Sequence, residues 1–224
     1  MFKKPLYLIL YTLLVIVISS VITTGYIHYF VLNSGGAPAE VAIKAVSDEQ
    51  VSNSPIKQDN VIVEIFSYGC HYCALNENNV AKLEARMPAG SKLQRVHVAN
   101  PQNSGLASFA PLFATLTVMG IEPQHRESAY KAVIKDRINL ADTAQLNQWL
   151  QQEGIDISQY KQVSQSEEVK ELMSYMTAVS SHYKINATPT FIVGKKWQAI
   201  QDSDFPEFSD KLLSLLQHDK LLEK

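Results

Sequence analysis

The sequence predicts an α/β protein, with one domain whose helices cover both faces of a sheet and one apolar helix long enough to cross a membrane before it. Three observations predict this architecture. The first 32 residues are mostly apolar, strand–helix–strand and strand–strand–helix patterns flank a long helical block, and both cysteines lie between the first strand and the first helix of the domain. The spacing of the cysteines also indicates the chemistry of the domain.

The composition is that of a folded domain with its own core. The chain has 224 residues, of which 46% are hydrophobic and 19% are charged, and this balance excludes a disordered chain or a collagen-like fibre. Two cysteines are too few for a small scaffold held together by disulfides. The formal net charge of −2 provides no basic field for nucleic acid.

Residues 1–32 are predicted to be a cytoplasmic N-terminus followed by a transmembrane signal anchor. The apolar run 6–32 would span roughly 40 Å as a helix, more than the bilayer core of about 30 Å. Lys3 and Lys4 precede it, so the rest of the chain is predicted to be exported. The alternative is a cleaved signal peptide, whose apolar region is usually about 7 to 15 residues. Small residues at 36–39 offer a site for that cleavage.

Residues 33–58 are rich in Ser, Gly, Pro, Asn and Gln and predict a flexible linker, within which 42–46 fits a short edge strand of the next domain. The domain is predicted over 59–224, with a helical insertion at about 101–165. The run 61–66 is β-branched and aromatic and predicts a buried strand. The pattern after residue 73 predicts a helix that ends at 88–90.

The cysteine pair Cys70–Cys73 falls at the start of this helix. The helix dipole and the unpaired N–H groups of the first turn favour an anion there, and therefore the thiolate of Cys70. Cys73 lies one turn further on, facing back and within reach for a disulfide. The pattern predicts a reversible dithiol with an exposed attacking sulfur on Cys70 and a shielded resolving sulfur on Cys73.

Other roles of a CxxC pair remain as alternatives. A zinc site needs two further ligands, and the sequence has neither a second CxxC nor an HxxxH motif. A c-type haem would need His after Cys73, where Ala74 stands. A purely structural disulfide is possible, although so short a loop adds little to stability. No metal and no cofactor is predicted.

The rest of the chain completes the element order. Residues 93–98 form a second predicted strand, and 105–184 are predominantly helical. A hairpin is predicted from 190–193 and 197–200 around Gly194, and a closing helix from 205–216.

At this point the sequence resembles the DsbA family of exported thiol:disulfide oxidoreductases, which have a thioredoxin fold with a helical insertion. The resemblance covers about residues 59–224. It depends on the strand that leads into Cys70-His-Tyr-Cys73 and on 87–90 before the second strand. It also depends on 154–160, where the insertion returns to the sheet, and on the loop and strand 187–194.

The resemblance implies roles for four further residues. Pro189 would be cis beside the dithiol, and the backbone of Thr188 would pair with an extended substrate. Glu64, six residues before Cys70, would move protons to and from the buried cysteine, unless it points outward to solvent. His71 and Tyr72 would tune the redox potential.

Two departures from the family pattern leave the direction of the reaction open. The strong oxidant of the family has Pro-His between its cysteines, whereas this chain has His71-Tyr72. Thr188 before the proline is more typical of the isomerase branch than the Val of the oxidant. The remaining histidines, His97 among them, are interpreted as packing or surface residues.

The predicted activity is the introduction of disulfides into secreted or envelope proteins by exchange through Cys70–Cys73. By resemblance, the partners are unfolded exported proteins with free cysteines and a DsbB-like, quinone-linked membrane protein that reoxidises the dithiol. The domain would lie in the periplasm, attached to the bacterial inner membrane. One alternative is a disulfide isomerase or reductase kept reduced by a DsbD-like donor. An alternative of a different class is a tethered dithiol chaperone or copper-binding protein.

Overall fold

The computed structural model describes residues 3–28 and 42–220. It divides the chain into two units, 1–41 and 42–224. In the first unit, helix α1 (Lys3–Tyr26) contains an 18-residue window, Ile9–Tyr26, with a mean hydropathy of 2.0 and no buried residues. Its length and composition are sufficient to cross a membrane and equally fit a signal sequence. The remainder of the predicted anchor and the first part of the predicted linker lie outside the described residues.

The second unit is built on a five-stranded sheet with the order β1-β5-β4-β2-β3. The strands are β1 (Ile43–Ala45), β2 (Val61–Phe66), β3 (Lys92–His97), β4 (Thr190–Val193) and β5 (Trp197–Ile200). Strands β2 and β3 are parallel, and the other pairs are antiparallel. The β-branched and aromatic residues of β2 are buried along its whole length, as expected for a central strand.

Helices flank this sheet in chain order. Helix α2 (Asp48–Ser52) precedes β2, and α3 (His71–Ala85) connects β2 to β3. The helical insertion contains α4 (Ala110–Val118), α5 (Glu122–Tyr130), α6 (Thr143–Gln152) and α7 (Ile157–Val163), and α8 (Glu167–His182) leads back to β4. Helix α9 (Phe205–His218) closes the domain. Side chains of Asp142, Asp156 and Ser166 accept hydrogen bonds from the first turns of α6, α7 and α8.

The two faces of the sheet bury separate cores. On one face, Ile62 and Phe191 pack with Leu83 of α3 and Phe208 of α9. On the other face, Val63 and Ile65 belong to a larger cluster that includes residues of α4 and α8. Apolar residues therefore cover both faces, as the alternation along β2 and β4 requires. The predicted α/β class, with a helical insertion, is confirmed.

The segment before β2 differs from the prediction of a flexible linker through residue 58. Residues 43–52 form β1 and α2, and β1 is the predicted edge strand, paired antiparallel with β5. His182 Nε2 lies 2.8 Å from the carbonyl oxygen of Gln50, and the hydroxyls of Ser54 and Tyr183 are 2.7 Å apart. The polar composition was misleading, because His182 and Tyr183 of the domain bond to the backbone of Gln50 and to the hydroxyl of Ser54.

Candidate functional site

A tight turn between β2 and α3 positions the cysteine pair. The N–H of Cys70 donates to the carbonyl of Ser67 at 2.9 Å, and the hydroxyl of Ser67 donates to the carbonyl of Leu106 at 2.8 Å. A Cβ atom on Gly69 would lie 3.0 Å from the ring of Phe109. The turn therefore passes so close to the insertion that glycine fits best at this position.

Cys70 is the N-cap residue of α3 and forms a disulfide with Cys73. The backbone N–H of Cys73 donates to the Cys70 sulfur at 3.0 Å. A thiolate on Cys70 would keep this hydrogen bond and gain from the helix dipole, which is the local arrangement predicted from the spacing. Exposure differs from the prediction, because Cys70 is only 5% exposed and Cys73 is fully buried.

The loop before β4 lies against the Cys70 sulfur and accounts for its low exposure. The carbonyl oxygen of Thr188 is 3.3 Å from Cys70 Sγ, and the Thr188–Pro189 peptide bond is cis. The hydroxyl of Thr190 donates to the carbonyl of Ala187 at 2.8 Å and fixes the loop. The resemblance implied this juxtaposition, which joins residues more than a hundred positions apart.

The two residues between the cysteines are exposed and border different cavities. His71 lines a cavity of about 440 Å³ between α3 and α5, together with Ala74, Leu75 and Tyr130. Tyr72 lines a cavity of about 470 Å³ that includes Thr188, Pro189 and residues 200–203. Tyr72 and Leu75 are 68% and 63% exposed. Exposed apolar side chains therefore lie beside the dithiol.

Glu64 points into the domain, so the alternative in which it faces solvent is wrong. Its carboxyl is 1% exposed and lies 3.5 Å from the guanidinium of Arg95, its cross-strand neighbour on β3. Burial raises its pKa from 4.5 to about 7, although the charge of Arg95 acts in the opposite direction. A carboxyl with this pKa accepts and releases protons near neutral pH.

The Glu64–Arg95 pair belongs to a larger group of buried and half-buried charges. Arg95 donates to Glu77 of α3 at 2.8 Å, and Glu77 also accepts from Arg126 of α5 at 3.0 Å. Arg126 donates to Glu122 at 2.9 Å. Three carboxyls thus share two guanidinium groups, and a neutral Glu64 balances the charge of the group. The sequence contained no local signal for this arrangement, because it depends on how α5 packs.

Two further residues contact the turn before Cys70. The hydroxyl of Tyr68 donates to Glu122 at 2.9 Å, and its backbone N–H donates to Nε2 of His97 at 3.2 Å. His97 is fully buried, and burial lowers its pKa from 6.5 to about 4. The interpretation of His97 as a packing residue holds, but its hydrogen bond to the turn could not be predicted from scattered histidines.

The geometry defines a thioredoxin-fold dithiol protein, and comparison with known proteins gives the family. The model of the DSBA-like thioredoxin domain matches residues 93–214, more than half of the chain. The chain belongs to this family. The Thiol:disulfide interchange protein DsbA of Azotobacter vinelandii is 28% identical over 165 residues, 72% of this chain and 76% of the relative.

Other relatives agree with this assignment. The protein of the same name from Pseudomonas aeruginosa is 26% identical over 172 residues, which cover 75% of this chain and 80% of the relative. The solved oxidoreductase NmDsbA3 from Neisseria meningitidis superimposes with a TM-score of 0.63 at 26% identity, covering 78% of this chain and 92% of that one. The protein is a thiol:disulfide oxidoreductase, as the cysteine pair predicted.

Proposed function

We propose that the protein introduces disulfides into exported proteins by dithiol exchange through Cys70 and Cys73. The observation that carries the proposal is the contact of 3.3 Å between Cys70 Sγ and the carbonyl of Thr188. An extended client that pairs with the backbone of Thr188 would bring its own cysteine beside the Cys70 sulfur. Catalysis is assigned to Cys70 and Cys73, and client binding to Thr188 and Pro189.

The exchange proceeds in two steps. A client thiolate attacks Cys70 Sγ, which forms a mixed disulfide and releases Cys73 as a thiolate that takes a proton from Glu64. The second client thiolate attacks the client sulfur of the mixed disulfide, so that the client is oxidised and Cys70 leaves as a thiolate. The hydrogen bond from the Cys73 N–H supports this thiolate.

The exposed apolar side chains near the dithiol favour the proposal that the clients are unfolded proteins. Tyr72, Leu75 and Leu106 are three of the four exposed large hydrophobic residues among the described residues 42–220. Leu106 lies against the turn at Gly69. An unfolded chain exposes apolar side chains that can pack on this surface before exchange. His71 and Tyr72, beside Cys70, are proposed to tune the redox potential.

The localisation and the reoxidising partner belong to the same proposal. The apolar helix α1 fits an uncleaved anchor in the bacterial inner membrane, with Lys3 and Lys4 on the cytoplasmic side and the domain in the periplasm. A DsbB-like membrane protein would accept the two electrons of the reduced dithiol and pass them to a quinone. Attachment to the same membrane would raise the effective concentration of the two proteins.

The reduction potential tests the direction of the reaction. The full-length protein in detergent is equilibrated with glutathione buffers, and the fraction of Cys70–Cys73 disulfide is measured after acid quenching. DsbA has a potential of about −120 mV and thioredoxin of about −270 mV. We expect a value above about −160 mV. A value near or below about −230 mV would overturn the proposed role as an oxidant and favour the isomerase or reductase.

Trapping of clients tests the dithiol exchange itself. In Cys73→Ala, the Cys70 thiolate can attack a disulfide already present in a client, which releases one client thiolate and leaves the client bound to Cys70. Release through attack by Cys73 is then blocked, so client proteins are expected to accumulate on Cys70 and to be released by reductant. Cys70→Ala is the matched control and should trap none. A protein that binds copper stoichiometrically in its reduced state and traps no client would favour the metal-carrier alternative.

A further inference from the structure

Three buried oxygen atoms lack a hydrogen-bond partner within the described part of the chain: Oε2 of Glu64 and the hydroxyls of Tyr130 and Thr188. Thr188 belongs to the loop against Cys70, and Oε2 of Glu64 has only its ion pair of 3.5 Å with Arg95. A buried polar atom without a partner costs free energy comparable to a lost hydrogen bond, and such atoms often have a functional role. The carboxyl of Glu64 and the hydroxyl of Tyr130 therefore call for an explanation.

Tyr130 lies in the wall of a surface cavity that Glu77 also lines. It is the last residue of α5, 4% exposed, and it lines the 440 Å³ cavity between α3 and α5. Glu77, which bonds to both Arg95 and Arg126, lines the same cavity. After burial, the charge of Glu64 is the largest cause that raises the pKa of Tyr130.

The groups whose charges shift the pKa of Glu64 include no neutral hydroxyl. The groups around it are the guanidinium groups of Arg95 and Arg126 and the carboxyls of Glu77 and Glu122. Arginine keeps its proton at all relevant pH values, and the two carboxyls are held by the arginines. A phenol can accept one proton while it donates another, which suits a relay.

We propose that the hydroxyl of Tyr130, with a bridging water molecule, carries protons between Glu64 and the cavity between α3 and α5. Glu64 and Tyr130 are not hydrogen-bonded to each other, so the water must join them, as buried waters commonly do. This inference rests on the proposed function, in which Glu64 exchanges a proton with Cys73.

The relay acts when the dithiol is reoxidised by glutathione disulfide. The Cys70 thiolate attacks the glutathione disulfide and forms a mixed disulfide, with loss of one glutathione thiolate. Cys73 then gives its proton to the Glu64 carboxylate and attacks Cys70 Sγ, which closes the protein disulfide and releases the second glutathione as a thiolate. Tyr130 passes the proton from Glu64 to water in the cavity, and the released thiolates take up protons from solvent.

The test measures ring closure, the formation of the Cys70–Cys73 disulfide from the glutathione-bound form, in the full-length protein in detergent. The reduced protein is mixed with excess glutathione disulfide, quenched with acid, and the decay of the glutathione-bound form is followed by mass spectrometry. We expect Tyr130→Phe to slow ring closure by about tenfold in dilute buffer, and concentrated imidazole, a small proton carrier, to restore much of the rate. Tyr160→Phe, which removes a buried tyrosine hydroxyl of α7, should leave the rate unchanged.

A double-mutant cycle separates the relay from a structural effect. If Tyr130 acts through Glu64, the double variant Glu64→Gln/Tyr130→Phe closes the ring no more slowly than Glu64→Gln alone. Multiplied effects, or a tenfold loss that imidazole does not restore, would overturn the relay. So would an unchanged rate in Tyr130→Phe when Glu64→Gln is slow. If Glu64→Gln itself closes the ring at the normal rate, it is the proposed role of Glu64 that fails.

Stability gives an independent readout. Because the Tyr130 hydroxyl lacks a protein partner, Tyr130→Phe should unfold at the same or a higher urea concentration than the unsubstituted protein. A strongly destabilised variant would mean that the hydroxyl has a structural partner, and this would overturn the assignment.

Discussion

Nε2 of His97 accepts a hydrogen bond of 3.2 Å from the backbone N–H of Tyr68, two residues before Cys70. Nδ1 of the same ring lies 2.8 Å from the carbonyl of Val98, so the proton is on Nδ1 and the ring is neutral. The end of β3 thus holds the turn that presents the dithiol. Protonation of Nε2 would remove the acceptor of this hydrogen bond, so the stability of the turn depends on pH.

Because His97 is buried as a neutral ring, the protein is expected to lose stability in acid. Burial lowers its pKa from 6.5 to about 4, so the unfolded chain binds the proton more readily than the folded one. The contribution of the neutral ring is fully present above pH 6.5 and is lost as pH falls through about 4. Urea unfolding followed by tryptophan fluorescence should show this slope in Glu64→Gln, which lacks the opposing titration of Glu64, but not in Glu64→Gln/His97→Gln, where the new amide oxygen at position 97 can still accept.

Comparison of two substitutions isolates the hydrogen bond to Tyr68. His97→Leu leaves the buried N–H of Tyr68 without an acceptor and should cost about 1–3 kcal/mol of unfolding free energy at pH 7. His97→Gln should cost less. Equal stability of the two variants would contradict a role for this hydrogen bond.

The contribution of Glu64 to stability has the opposite dependence on pH. Because burial raises its pKa from 4.5 to about 7, the folded state retains a proton that the unfolded chain releases. Its contribution is fully present below pH 4.5 and is lost as pH rises through about 7, a loss on the order of 3 kcal/mol. Glu64→Gln should therefore be more stable than the unsubstituted protein at pH 8, by urea unfolding.

Between about pH 4.5 and 6.5, the stability contributed by His97 rises with pH, whereas the stability contributed by Glu64 falls. The unsubstituted protein should vary little in stability there, whereas Glu64→Gln should expose the slope of His97. An unchanged profile in Glu64→Gln would mean that Glu64 titrates normally in the folded protein.

Arg126 should matter more for stability than a surface arginine. Arg126→Met leaves Glu122 and Glu77 with less positive charge in a largely buried site, and should cost about 3 kcal/mol in urea unfolding. Arg86→Met is the matched control, since Arg86 pairs with Asp210 where both side chains are half exposed. That change should cost less than about 1 kcal/mol. Equal costs would contradict the importance of the buried group.

The apolar surface beside the dithiol should affect large clients only. Leu75→Ser removes a side chain that is mostly exposed and has no proposed role in tuning the potential, so stability should change by less than about 0.5 kcal/mol. Oxidation of a reduced, unfolded protein should slow several-fold, whereas reaction with glutathione should change little, because glutathione is too small to use the surface. Val118→Ser, an exposed position on α4 that lines neither cavity beside the dithiol, is the control.

The elements that could be predicted from the sequence are those with a local signal. Strand β2 and the start of α3 follow from a β-branched run and a cysteine pair, and Pro189 came from the resemblance to a family motif. The partners of Glu64 could not be predicted, because Arg95 lies across a strand pair and Arg126 lies in the insertion. The low exposure of Cys70 likewise depends on the distant Thr188 loop.

Strand β1 has a consequence for the edge of the sheet. Its backbone pairs with β5 from Ile43 to Ala45 and covers one outer side of the sheet. A fragment that began at residue 59 would leave the N–H and C=O groups of β5 open to strands of other molecules, a common route to aggregation. The short strand that leads into the domain therefore covers an edge that could otherwise pair with other molecules, and a soluble fragment should retain it.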